Sequence, residues 1–159
     1  MSAKVSVSGN PVSRRTLDPE LQNTAAIRVG RLLEVRAAHG YRSREDVDLL
    51  FNQLEQEVAR LAPGVRYVTV VDWRLCPVMS PDAAKRIVER MANLNARTER
   101  SATIAANDSP TAVLQFVRVI RDSGHPDRKL FFEKDELFGW LAELLDPPET
   151  ERLRQFLDE

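Results

Sequence analysis

Strands alternating with helices predict an α/β fold: a single domain with a mostly parallel four- to five-stranded sheet and helices packed on it. Three observations predict it. Short apolar runs recur at Val65 to Val71, which is rich in β-branched residues, at Ser101 to Ala106 and at Lys129 to Phe132. A stripe of apolar residues at helical spacing follows each run. Ser80-Pro81 and Ser109-Pro110 repeat one helix-start signal, a hydroxyl cap with proline at the first helical position, where its missing N–H costs nothing. A chain of 159 residues with 43% hydrophobic and 30% charged residues has room for one proper core.

The elements follow in order. Residues 1–22 read as a flexible tail, dominated by Ser2, Ser6, Ser8, Gly9, Asn10, Pro11 and Ser13, with no period of 2 or 3.6. Residues 23–145 form the α/β domain, and 146–159 an appended helix. From Ala25 to Ala38, Ile27, Val29, Leu32, Leu33 and Val35 alternate with arginines and Glu34, as expected of a solvent-facing antiparallel edge. Gly30 is either a turn between two strands or a bulge in one. Ser43 caps the first clear helix, whose stripe is Val47, Leu50, Phe51, Leu54, Val58 and Leu61, stopped by Pro63-Gly64.

Val65 to Val71 lacks alternation, as expected of a central strand covered on both faces. The helix after Ser80 carries Ala84, Ile87, Val88, Met91 and Leu94, and the one after Ser109 carries Val113, Phe116, Val117 and Ile120. Asp135 to Leu145 is a helix with Leu137, Phe138, Leu141, Leu144 and Leu145. Asp146-Pro147-Pro148-Glu149 then caps a last helix bearing Leu153, Phe156 and Leu157. The order is β(β)αβαβαβα plus one helix, which right-handed crossovers turn into a largely parallel sheet.

Composition excludes several classes of function. With 23 basic and 24 acidic residues the net charge is −1, so nothing draws the whole molecule to nucleic acid or anionic lipid. Cys76 stands alone, which excludes an intrachain disulfide and a thiol zinc site. Met1 to Asn10 has no apolar core of a secretory signal, and no run approaches the roughly 18 apolar residues of a membrane span. The expectation is a reduced, cytoplasmic protein.

In an open α/β sheet, function is placed outside the carboxyl ends of the strands. Here that place is Asp72-Trp73 and the loop through Met79 to Ser80, Pro81 and Asp82. Asp72 can orient the loop through backbone N–H groups or act as an acid or base, although no second carboxylate or histidine lies nearby in sequence. Trp73 is either an edge of the core or an exposed interface anchor. Ser80 and Asp82 read as a helix cap and a first-turn carboxylate, or as part of a docking surface. Cys76 reads as a buried thiol, or as a nucleophile with neither histidine near it in sequence. His39 and His125 sit beside glycines in turns, without a metal-ligand spacing. Lys85, Arg86, Arg90, Arg97 and Arg100 form either a solvated face or a surface for an anionic partner. No phosphate-binding loop or nucleophile elbow occurs, so no enzyme, cofactor or metal is expected.

Three stretches carry a family resemblance: Gly40 to Asp46 at the entry to the first helix, Val68 to Met79, and Leu130 to Leu141 with its Phe131-Phe132 and Trp140-Leu141. Together they resemble the STAS-like, or SpoIIAA-like, fold of bacterial anti-sigma-factor antagonists over about residues 27–145. The resemblance implies a bacterial signalling domain that works by protein–protein binding. It also implies a phosphorylatable serine at the start of the second long helix. Aligning Met79 with the family's hydrophobic residue puts Asp82 at that place; a shift of two puts Ser80 there, the candidate phosphosite.

The expected function is a non-enzymatic regulatory or scaffolding domain, without the usual serine switch. It binds a regulator or kinase-like protein through residues 73–84. The expected contact residues are Asp72, Trp73, Val78, Met79, Ser80 and Asp82, with Asn107 and Ser109 from the next strand end. A small apolar-ligand or lipid-binding module is the alternative, with a pocket between sheet and helices near Phe116, Phe131, Phe132, Phe138 and Trp140. Homodimer formation through Leu153, Phe156 and Leu157 is a third expectation.

Overall fold

All seven residues of the strand Tyr67–Trp73 are buried, so this strand must be covered on both faces. The computed structural model describes residues 22–159, and the expected tail, apart from Gln22, lies outside them. The strands are β1 (Asn23–Val29), β2 (Leu32–Ala37), β3 (Tyr67–Trp73), β4 (Thr98–Ala105) and β5 (Arg128–Phe131). They lie in the order β1-β2-β3-β4-β5, with β1–β2 antiparallel and the other pairs parallel. The helices are α1 (Arg44–Val58), α2 (Pro81–Asn93), α3 (Pro110–Asp122), α4 (Lys134–Ala142) and α5 (Pro147–Asp158). The α/β class, the mostly parallel five-stranded sheet and the element order agree with the sequence expectation.

Because each strand is laid beside the previous one, right-handed crossovers send α1, α2 and α3 to the same face. One core layer therefore joins Leu33, Val35, Tyr67, Val71 and Trp73 of the sheet to Val47 and Leu50 of α1, Ile87 of α2 and Phe116 of α3. The other layer joins Leu32, Val68, Val70, Ala102 and Ile104 to Leu137, Leu141, Leu153, Phe156 and Leu157 of α4 and α5. Successive side chains of a strand alternate between these layers.

Local chemistry sets the boundaries. The hydroxyls of Ser43, Ser80 and Ser109 accept from the amides of Asp46, Ala83 and Ala112 at the starts of α1, α2 and α3. Gly30 resolves as a turn with φ of 58° between β1 and β2. A Cβ there would lie 2.0 Å from a Glu149 carboxylate oxygen. That oxygen accepts from the Arg31 amide at 2.9 Å, while Glu149 also completes a capping box with Asp146. The hairpin turn is thereby stapled to the start of α5. The outer edge of β1 is covered as well: Glu57 accepts from the Ile27 amide at 2.8 Å and Gln53 donates to the Ala25 carbonyl at 3.1 Å. Both bonds occupy backbone groups that an edge strand would offer to another chain.

The C-terminal helix corrects an expectation. Leu153, Phe156 and Leu157 are buried against their own sheet, so they leave no apolar face for a homodimer. Arg152 adds a two-pronged ion pair to Glu34 on β2, at 2.7 and 2.8 Å, with the carboxylate 2% exposed. Helix α5 is a layer of the domain and not an appendage. Truncation of Leu153 to Ala is expected to cost about 2–5 kcal/mol in urea unfolding, the range of a buried leucine. A change under about 0.5 kcal/mol would return α5 to the status of an add-on.

The basic run of α2 is spent inside the chain. Arg86 and Arg90 donate to Asp48 of α1 at 2.8 and 2.7 Å, and Arg90 also reaches Asn52 and Glu55. Arg97 donates to the Val65 carbonyl, and Arg100 to the Trp140 carbonyl and Glu143. The hydrogen bond from Arg86 holds both Asp48 and Glu89 below the usual carboxylate range. A carboxyl lowered in the folded state contributes stability above its unfolded pKa of about 4, and loses it as pH falls through the folded value. Asp48→Asn is therefore expected to flatten the loss of stability below about pH 4, read by urea unfolding. An acid limb as steep as that of the wild type would contradict this origin.

Candidate functional site

At the carboxyl ends of β3 and β4, neighbours in sequence are sent to opposite layers. Trp73 points into the α1–α3 layer and Asp72 into the α4–α5 layer, as strand alternation requires. Trp73 is 1% exposed. Its Nε1 donates to the Tyr41 hydroxyl at 3.3 Å, and its ring lies edge-on to Tyr41 and 4.9 Å from Phe116. Such ring pairs contribute about 0.5–1.5 kcal/mol each beyond their burial. Burial, with that hydrogen bond acting the other way, pushes the Tyr41 hydroxyl well above its ordinary range, so it stays protonated. Trp73 is a core residue, and the reading as an exposed anchor is corrected.

Asp72 is buried too, and it organises two arginines. Arg36 and Arg74 both pair with it. Arg36 also reaches the Phe156 carbonyl at 3.3 Å and lies 4.1 Å above the Phe156 ring, and Arg74 donates to the Leu157 carbonyl at 3.1 Å. Those carbonyls end α5, where helical partners run out and cations suit the dipole. Asp72 thus serves two elements: it accepts from the Arg74 backbone amide at 2.9 Å, orienting the start of the loop as expected, and it aims Arg36 and Arg74 at the end of the last helix.

The loop after β3 is rigidly held on the Trp73 side. Gln115 of α3 takes the Met79 backbone from both directions, accepting from its amide at 2.8 Å and donating to its carbonyl at 2.9 Å. On the other flank Gly40, with φ of 84°, packs so closely that a Cβ would lie 2.7 Å from Pro77 Cδ. Cys76 and Met79 are buried beneath the loop, while Val78 is 48% exposed at its crest. Gly40 stands in the sequence reading as the entry to the first helix, with no sign of its contact with Pro77, and Gln115 has no place in it. A polar residue beside Phe116 carries no signal that it bonds a loop 36 residues away.

Between this loop and the start of α3 lies an open groove of ≈ 360 Å³. It is lined by buried Trp73, Phe116 and Ala112, by Arg74, Cys76, Pro77 and Val78 of the loop, and by Ala106, Asp108 and Ser109 across from them. Of the expected contact residues, Trp73, Val78 and Ser109 come together here. Asn107 is exposed next to them. Asp82 is exposed in the first turn of α2, and half-buried Ser80 caps that helix, its hydroxyl accepting from Ala83 at 3.1 Å. Cys76 and Ser109 line the groove, but neither histidine does. His125 instead accepts from the Asp127 amide and meets the Thr98 carbonyl at 2.7 Å. Among the described residues no helix is long and apolar enough to cross a membrane.

The five expected pocket aromatics are split between layers: Phe116 packs with the α1–α3 layer, and Phe131, Phe138 and Trp140 with the other, while Phe132 is exposed. They do not line one pocket. The cavity between the sheet and α1–α2 measures ≈ 30 Å³, against roughly 300 Å³ or more for a small-molecule site.

No protein-family profile matches the chain, and no curated protein sequence matches it. Among solved structures, it is similar to an uncharacterised protein of the DUF3478 family from Shewanella loihica, described as having a SpoIIAA-like fold. The TM-score is 0.52 at 18% sequence identity, over 77% of this chain and 97% of the other. At that identity the likeness speaks for the fold, and the fold of this chain is STAS-like, of the SpoIIAA-like kind.

Proposed function

We propose that this is a non-enzymatic regulatory or scaffolding domain that binds another protein at the groove between the 74–80 loop and the start of α3. The observation that carries the reading is the groove itself, with Val78 exposed at the crest of a loop already fixed by Gln115 and Gly40. A rim held in place before binding loses little conformational freedom on complex formation, which favours affinity. The partner's chemistry follows from the lining. An apolar side chain fills the space between Val78 and Ala112.

The sheet order supports a binding role over a catalytic one. An uninterrupted β1-β2-β3-β4-β5 order makes no strand-order reversal, and it is at such reversals that open α/β sheets form their ligand crevices. The resemblance to anti-sigma-factor antagonists adds a signalling role in a bacterial cytoplasm, by analogy of fold. Ser80 is used as a helix cap, which supports a domain that works without a serine switch.

A photo-crosslinking residue at Val78 is expected to capture a partner that the same residue at Leu49, exposed on α1, does not. With that partner purified, Val78→Asp should weaken the Kd at least tenfold in calorimetry, and Leu49→Asp should leave it unchanged. Ser80→Ala should cost about 0.5–2 kcal/mol of stability as a lost cap while leaving the Kd as it was. Equal binding by Val78→Asp would overturn the groove as the contact, and phosphate on Ser80 that alters binding would restore the switch.

A further inference from the structure

At the strand ends opposite the groove, β3, β4 and β5 carry a row of buried polar side chains on the face covered by α1–α3. Thr69 stands opposite Ser101 and Ser101 opposite Arg128, while Tyr67 stands opposite Thr98. Exposure is 1% at Tyr67 and Thr98, 3% at Ser101, 6% at Thr69 and 7% at Arg128. All five line the cavity of ≈ 30 Å³. The sequence reading treated this part of the sheet as plain core.

Arg128 is the unusual member. A guanidinium buried this deeply is costly unless a carboxylate compensates it. Its hydrogen-bond partners are neutral, Asn95 Oδ1 at 2.9 Å and the Ser123 hydroxyl at 2.8 Å. Burial draws its pKa down to about 10, with only Tyr67 acting the other way. Its Nε–H is buried with no hydrogen-bond partner, and the buried Tyr67 hydroxyl has the Thr98 side chain beside it. Buried donors of this kind are ordinarily matched.

We infer that this cavity binds one small inorganic anion of the halide class, held by Arg128 Nε–H and the hydroxyls of Tyr67, Thr69 and Ser101. Every one of these groups can donate, and a halide accepts from all of them. It also neutralises the guanidinium, which a water molecule does not. The volume suits a monatomic ion, being about that of one or two waters, and is too small for sulfate or phosphate with their oxygens. The ion belongs to the folded state, so it stabilises the domain by mass action. The cavity, whose remaining lining is apolar, meets the groove at Trp73, which lines both.

The test compares sodium bromide with sodium fluoride and sodium gluconate at equal ionic strength on the full chain. Raising bromide from a tenth to ten times its half-saturating concentration should lift the melting temperature saturably by about 4 °C, with gluconate producing no such rise. Tyr67→Phe keeps the ring and removes one donor, and should raise the half-saturating concentration at least threefold. Arg128→Met should abolish the halide dependence. Crystals grown in bromide should show an anomalous peak in the cavity beside Arg128. A cavity holding only water in those crystals, or melting curves in which all three salts coincide, would overturn the inference even if Arg128→Met fails to fold.

Discussion

Burial of β3 on both faces is the constraint on which the rest of the domain depends. Each residue of this strand is committed to one of two cores by the alternation of the pleat, so Tyr67, Thr69, Val71 and Trp73 serve one layer and Val68, Val70 and Asp72 the other. A shift of one residue would exchange every one of them, placing Asp72 among aromatics and Trp73 against arginines. The register is therefore set by burial on both sides. It also separates two tasks at the carboxyl end of the strand, one at Trp73 and one at Asp72.

On the Trp73 side the task is to hold a loop. Tyr41 and Phe116 pack on the indole, Gln115 grips the Met79 backbone and Gly40 admits Pro77, so the crest at Val78 stands over a firm floor. On the Asp72 side the task is to end a helix. Asp72 aims Arg36 and Arg74 at the last carbonyls of α5, while Glu34 and Glu149 hold Arg152 and the hairpin turn against the same helix. The groove and the last helix are thus built on the two faces of one strand end.

Much of the fold was legible in the sequence because its signals are local. The caps at Ser43, Ser80 and Ser109, the β-branched run before Trp73 and the alternation of strands with helical stripes depend on residues a few positions apart. What was not legible depends on distant pairs. Leu153, Phe156 and Leu157 look the same whether their stripe meets a second copy or the chain's own sheet. Gly30 reads as a turn or a bulge until Glu149 is placed against it. Thr98-Glu99-Arg100 lies before the strand expected from Ser101, yet begins β4, because Glu99 and Arg100 find Arg31 and Glu143 across the fold. Trp73 had two readings that burial alone could decide. At the site, the loop and its capping serine were legible, while the contacts of Gln115 with Met79 and of Gly40 with Pro77, which make the loop rigid, carried no sequence signal.

The claim that the strand end divides into a binding side and a structural side is tested most directly by amide hydrogen exchange on Asp72→Ala. Loss of the carboxylate leaves Arg36 and Arg74 without their shared anchor. The account predicts faster exchange across the last turn of α5 and at the Arg74 amide, with protection at Cys76 and Met79 unchanged. Faster exchange at Cys76 and Met79 with α5 unaffected would contradict it, and would return Asp72 to the groove.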